Sequence, residues 1–256
     1  MSWVCLLFFS TISAHAQMGL GALLNPEGSR LFPQNIIVPR HPGKPDLRWR
    51  SFDWKFADSA SGEPKYRLYF YTEENWTARF AMPHIDSEVA YLSSVFNYTP
   101  EIRFNYVLFS SQHDFQQANV FDISEGVQGI TSTTEATMAV PYWGEAETYR
   151  HISTHEMVHQ LQFQKVTGVA KDVPAEVAFS VMPLWFIEGM AEYYSQHGVD
   201  AEARVYLRDI MLYPDADRHY TVPKLFADEP LDFVHVYKMG QARIDFFETH
   251  FGKGTV

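Results

Sequence analysis

The stretch "HISTHEMVHQLQF", residues 151–163, constrains this chain more than any other part of it. His155-Glu156-Met157-Val158-His159 fits the pattern H-E-x-x-H. On an α-helix, at about 100° per residue, His155 and His159 fall on the same face one turn apart, about 6 Å along the axis. Two imidazoles so placed can grip one Zn²⁺ at about 2.0–2.1 Å each. Glu156, following the first of them, can aim its carboxylate at a water on the metal. The stretch is therefore expected to be helix, with its histidine face turned toward whatever completes the site. In a chain with 11 histidines the pentapeptide arises by chance in roughly a few per cent of cases, so a third ligand decides the matter.

A second helical stretch, "WFIEGMAEYY", carries Glu188 with Glu192 one turn later on the same face. Such a pair on a surface helix is usually solvated. Here Leu184, Trp185, Phe186, Ile187 and Met190 flank it, and a carboxylate in so apolar a stretch is costly unless paired or bound to metal. His155, His159 and Glu188 make a His₂Glu set, which leaves a fourth zinc position open, as a catalytic site requires. Glu192 is then expected to accept from the far N–H of a zinc-binding imidazole and fix its tautomer. His151 lies two turns from His159, about 12 Å along the axis. One tetrahedral ion does not collect ligands across that span, so His151 is read as structural or cleft-lining.

With 256 residues, 46% hydrophobic and 16% aromatic, the chain can bury a two-lobed core. Its net charge of −11 argues against a nucleic-acid partner, which needs a basic stripe. The opening "MSWVCLLFFSTISAHAQ" runs apolar from Trp3 to Phe9 into Ala14-His15-Ala16, a small-x-small cleavage pattern. Residues 1–16 are read as a signal peptide, too short in its apolar run to span a bilayer. No later segment is long and apolar enough to do so. The one cysteine, Cys5, lies inside that signal, which leaves the mature chain without disulfides or thiolate ligands. Export without disulfides points to a bacterial periplasmic or extracellular protein.

Residues 17–47, rich in Gly, Pro and Asn, are read as irregular. Strands are expected at "SFDWKF", "YRLYFYT" and "IRFNYVLFS", and a short strand pair in "GVQGITSTTEATMAVPY" with a turn near Thr134-Glu135. A helix is expected after Pro83, with Ile85, Val89, Leu92 and Phe96 as its apolar stripe. The histidine helix should begin near Glu147. Pro183 reads as a first-turn residue and Asp200 as an N-cap. Phe233, Tyr237, Ile244 and Phe247 line one side of a last helix. Strands first and helices afterwards make an α+β order, with the metal site in the cleft between two lobes.

His155-Glu156-x-x-His159 followed by Trp185-Phe186-Ile187-Glu188-Gly189-x-Ala191-Glu192-Tyr193 resembles the gluzincin metallopeptidases, zinc enzymes with a thermolysin-like fold. The aminopeptidase N type has a similar Glu-Gly-x-Ala segment. More narrowly, "HDFQQANV", "VPYWGEAETYRHISTHEMVHQLQF" and "PLWFIEGMAEYYS" resemble the peptidase MA-like domain of large exported bacterial proteins. The likeness runs from about Phe52 to the C-terminus. It implies a peptidase domain over 48–256, with a sheet lobe at about 48–165 that includes the histidine helix and a helical lobe at about 166–256. A downstream β-propeller often follows in that group, so the chain is expected to be part of something longer.

The resemblance also implies roles for particular residues. Aminopeptidase N-type enzymes have a Tyr followed three residues later by Gly, whose hydroxyl stabilises the tetrahedral intermediate. Tyr237 and Gly240 match, with His235 as the competing donor. The segment that recognises a free N-terminus in those enzymes is absent. "GVQGIT" stands in its place, and Gly129, Ile130 and Thr131 are expected to bind substrate as an edge strand. The expected activity is zinc-dependent hydrolysis of a peptide or protein substrate with Glu156 as general base. The alternative is an exported zinc-binding or catalytically silent interaction module attached to a propeller.

Overall fold

Tyr66, Leu68 and Phe70 alternate along one strand, Phe104, Tyr106 and Leu108 along the next, and Met138 and Val140 along a third; all are buried. This period-two pattern puts them on one sheet face. The computed structural model describes residues 49–55, 64–72, 74–118, 127–132, 136–169, 177, 182–212 and 234–256. The expected signal (1–16), the irregular segment (17–47), the turn at Thr134-Glu135 and Phe233 lie outside the described residues.

The strands are β1 (Trp49–Lys55), β2 (Pro64–Tyr71), β3 (Phe104–Phe109), β4 (Ile130–Thr131) and β5 (Thr137–Pro141). They form one sheet in the order β1-β2-β3-β5-β4. The inner pairs, β2 with β3 and β3 with β5, are parallel, and the outer pairs are antiparallel. Parallel neighbours need a crossover, which α1 (Asn75–Val95) supplies between β2 and β3. Two helices, α1 and α2 (Gln112–Ala118), are thus threaded among the strands rather than following them. Sheet and helix together make the mixed α and β class that the sequence suggests.

Both sheet faces are covered, as parallel strands require. Ala81, Ile85, Val89 and Leu92 of α1 and Ile152, Met157, Val158 and Leu161 of α3 (Ala146–Val169) join the even-numbered strand residues in one core. On the other face Phe115 of α2 meets Phe109 edge-on, with centroids 5.6 Å apart. Each large side chain so buried contributes about 1.5–3 kcal/mol. α4 (Leu184–Ser195), α5 (Ala201–Leu212), a π-helical turn (Val234–Lys238) and α6 (Met239–Phe251) follow.

Three local features refine the sequence reading. The helix expected after Pro83 begins at Asn75, eight residues before that proline, so Pro83 lies inside it. A proline costs an interior helical bond, but Pro83 and Arg79, whose carbonyl it crowds, both face solvent, while Ala78, Ala81 and Met82 are buried. Burial of that first half overrides the breaker. Pro183 occupies the N-cap of α4 rather than its first turn, and its carbonyl accepts from the N–H groups of Phe186 and Ile187. Asp200 does cap α5, its Oδ1 accepting from the Ala203 N–H at 2.6 Å.

Candidate metal centre

Helix α3 starts where Glu145 takes the N–H groups of Glu147 and Thr148 on its carboxylate. It then turns His155 and His159 toward α4, as the four-residue spacing requires. From α4, Glu188 points back at them. The Nε2 atoms of the two histidines are 3.1 Å apart. Glu188 Oε2 lies 3.2 Å from the first and 3.3 Å from the second. Ligands at 2.0–2.1 Å from one tetrahedral zinc stand about 3.3–3.4 Å from each other, so the triangle has the size that the ion needs.

Proton positions follow from the outer contacts. Gln162 donates its amide N–H to the Ile187 carbonyl at 3.1 Å, so its Oε1, 2.9 Å from His159 Nδ1, accepts from that ring. Glu192 Oε1 lies 3.1 Å from His155 Nδ1, and an ionised carboxylate only accepts. Both rings therefore donate outward from Nδ1 and turn bare Nε2 atoms toward one point beside Glu188. Three acceptors that close repel one another unless a cation or a proton lies among them.

Without metal, that role falls to a proton. Burial pushes the His155 imidazole down, but its hydrogen bonds to Glu188 and Glu192 outweigh burial and hold it at about 10. Burial pushes Glu188 up, yet His159 and His155 outweigh it and keep this carboxylate at about 2. Glu188 is 1% exposed, so its charge is shielded from bulk solvent and depends on its neighbours. The donor set of two neutral imidazoles and one ionised carboxylate is the kind that holds zinc.

Glu156, also buried, accepts from the Thr131 hydroxyl at 2.6 Å on Oε2. Burial raises its pKa against the pull of His159 and His155. Gly129 lies against it so closely that an added β-carbon would meet Glu156 Cγ at 2.7 Å. Of the three residues expected to bind substrate, Gly129 and Thr131 thus pack on Glu156, and Ile130 pairs with Ala139 of β5. Ile130 and Thr131 make up β4, which ends the sheet order, and Gly129 immediately precedes it.

Tyr237 stacks on the His155 ring at 6.1 Å between centroids, with 14° between planes. It reaches that position from the π-helical turn. His235 belongs to the same turn, but its side chain lies outside the described residues. His151 is not in the triangle. Its Nδ1 lies 3.0 Å from the Ser195 hydroxyl and its Nε2 3.5 Å from Glu192 Oε1. His151, His155 and Glu192 form a second group with ligand atoms within 4.8 Å of one another. There the Lys238 ammonium, 2.8 Å from Glu192 Oε2, already supplies a cation.

The sequence reading misses Gln162 and Lys238. Gln162, three residues after His159, could have been found by helical spacing. Lys238 has no such signal, because 46 residues separate it from Glu192. Compared with family models, with curated proteins and with solved structures, the chain matches none.

Proposed function

We propose that this chain is a zinc-dependent peptidase of the gluzincin type, with a thermolysin-like arrangement of a sheet lobe and a helical lobe around the site. The observation that carries the reading is the triangle of His155 Nε2, His159 Nε2 and Glu188 Oε2, with buried Glu156 beside it. Zinc bound there would supply Lewis-acid polarisation of a scissile carbonyl and a water acidic enough to attack it. Thr131 occupies one oxygen of Glu156, so the other takes the proton from the attacking water and returns it to the leaving amine nitrogen. The Tyr237 hydroxyl donates to the oxyanion of the tetrahedral intermediate. The main chain of β4 receives an extended peptide along its outer edge.

The N-terminal signal supports export to the bacterial periplasm or beyond. Among the described residues no helix is long and apolar enough to cross a membrane.

The test is zinc content alongside hydrolysis of an unbiased peptide library. Glu156→Gln is expected to keep about one zinc and lose at least about 10²–10⁴ in rate, the share of a positioned acid–base group. His159→Ala should lose the metal, and His151→Ala should retain it. Equal cleavage by Glu156→Gln and the parent would sink the mechanism. Zinc bound to a parent that hydrolyses nothing would favour an interaction module instead.

A further inference from the structure

Lys238 closes the π-helical turn with its side chain 6% exposed, and it is surrounded by carboxylates. Its ammonium donates to Glu192 Oε2 at 2.8 Å and to Asp200 Oδ2 at 2.7 Å. Glu202, on the exposed rim, is 3.3 Å away. A buried cation needs such partners, but two carboxylates would meet that need wherever they pointed. The informative feature is what the contact does to Glu192. With Oε2 held by Lys238, the carboxylate plane is set, and Oε1 faces His155 Nδ1 at 3.1 Å. His151 Nε2 competes for the same oxygen from 3.5 Å.

Asp200 is itself tied down, because its other oxygen caps helix α5 through the Ala203 N–H. Tyr237, the preceding residue, stacks on the same His155 ring. One turn of chain thus touches His155 directly on its face and indirectly through Glu192.

We infer that Lys238 is a positioning residue for the metal site: anchored on the Asp200 cap, it orients Glu192 so that His155 donates from Nδ1 and offers its Nε2 lone pair to zinc. This rests on the peptidase-type metal site proposed above, and it adds a residue for which the sequence gives no motif. Outer partners that orient metal-binding imidazoles typically contribute 10–100-fold in metal affinity.

The experiment uses the whole chain, with zinc affinity measured by competition against a chromophoric chelator and the visible spectrum recorded after loading with Co²⁺. Lys238→Met keeps the stem but removes the charge and the donors. It is expected to bind zinc about 10–100-fold more weakly and to shift the cobalt bands. Lys238→Arg, which keeps a cation that can reach both carboxylates, should recover most of the affinity and the parent spectrum. Asp200→Asn serves if Lys238→Met does not fold, because asparagine caps a helix as well as aspartate while weakening the hold on Lys238. It should show a smaller loss in the same direction. A parent that binds neither ion overturns the metal site and this inference with it. A parent that binds, beside a folded Lys238→Met or Asp200→Asn with unchanged affinity and spectrum, overturns the role of Lys238 alone.

Discussion

Helices α4 and α6 cross at two glycines, and replacing one of them sets two measurable effects against each other. A β-carbon added at Gly189 would lie 2.7 Å from Gly240 Cα, and one added at Gly240 would lie 3.0 Å from Gly189 Cα and closer still to the Trp185 carbonyl oxygen. Ordinary carbon contacts are about 3.5–4.0 Å, so the helices must separate by roughly 1 Å. Gly→Ala in a helix interior otherwise stabilises by about 1 kcal/mol. Overpacking costs about 1–3 kcal/mol, and here the obstacle is backbone, which no change of rotamer relieves. The clash is therefore taken at its upper end, and Gly240→Ala is expected to destabilise the fold by about 1–2 kcal/mol net.

Gly168, near the end of α3, has nothing within 4 Å of an added β-carbon. Gly168→Ala should therefore stabilise, by up to about 1 kcal/mol. Urea unfolding of the two variants and the parent, all metal-free, gives both signs in one experiment. The same separation draws Tyr237 and Lys238 away from His155 and Glu192, so zinc affinity should also fall in Gly240→Ala. If Gly240→Ala is as stable as Gly168→Ala, the helices do not meet at these glycines, and the reasoning fails.

Metal binding should release protons, because zinc needs a bare His155 Nε2 while the metal-free ring is held at about 10. A histidine raised above its ordinary value near 6.5 stabilises the metal-free fold fully below that value, and the gain fades as pH rises through about 10. Zinc titrated at pH 8 in buffers of different ionisation enthalpy should therefore show at least about one proton released per chain, fading above pH 10; none at pH 8 would contradict the assignment. Tyr237→Phe should keep zinc and lose about 10²–10³ in turnover, as for a missing oxyanion donor; unchanged turnover would transfer that role elsewhere. Material recovered from the periplasm or medium should begin at Gln17 on N-terminal sequencing, and an intact Met1 on cytoplasmic protein would overturn export.

Features set by short-range repetition are legible in the sequence. Four-residue spacing puts His155 above His159 and Glu188 above Glu192, whatever the helices pack on, because the helical pitch does not depend on the partner. Alternation in "YRLYFYT" and "RFNYVLF" marks strands for the same reason, and Asp200 caps α5 through a contact three residues away.

What depends on distant chain segments meeting is not legible. No local pattern says that β5 lies between β3 and β4, that Thr131 reaches Glu156, or that Lys238 reaches Glu192. Pro83 is the clearest case, since its local signal is a helix boundary, and burial of Ala78, Ala81 and Met82 overrides it. The two glycines show the same division. Gly189 and Gly240 are poor helix formers taken singly, and only the crossing of α4 and α6 supplies the reason for both, since a close approach of two backbones belongs to neither segment alone.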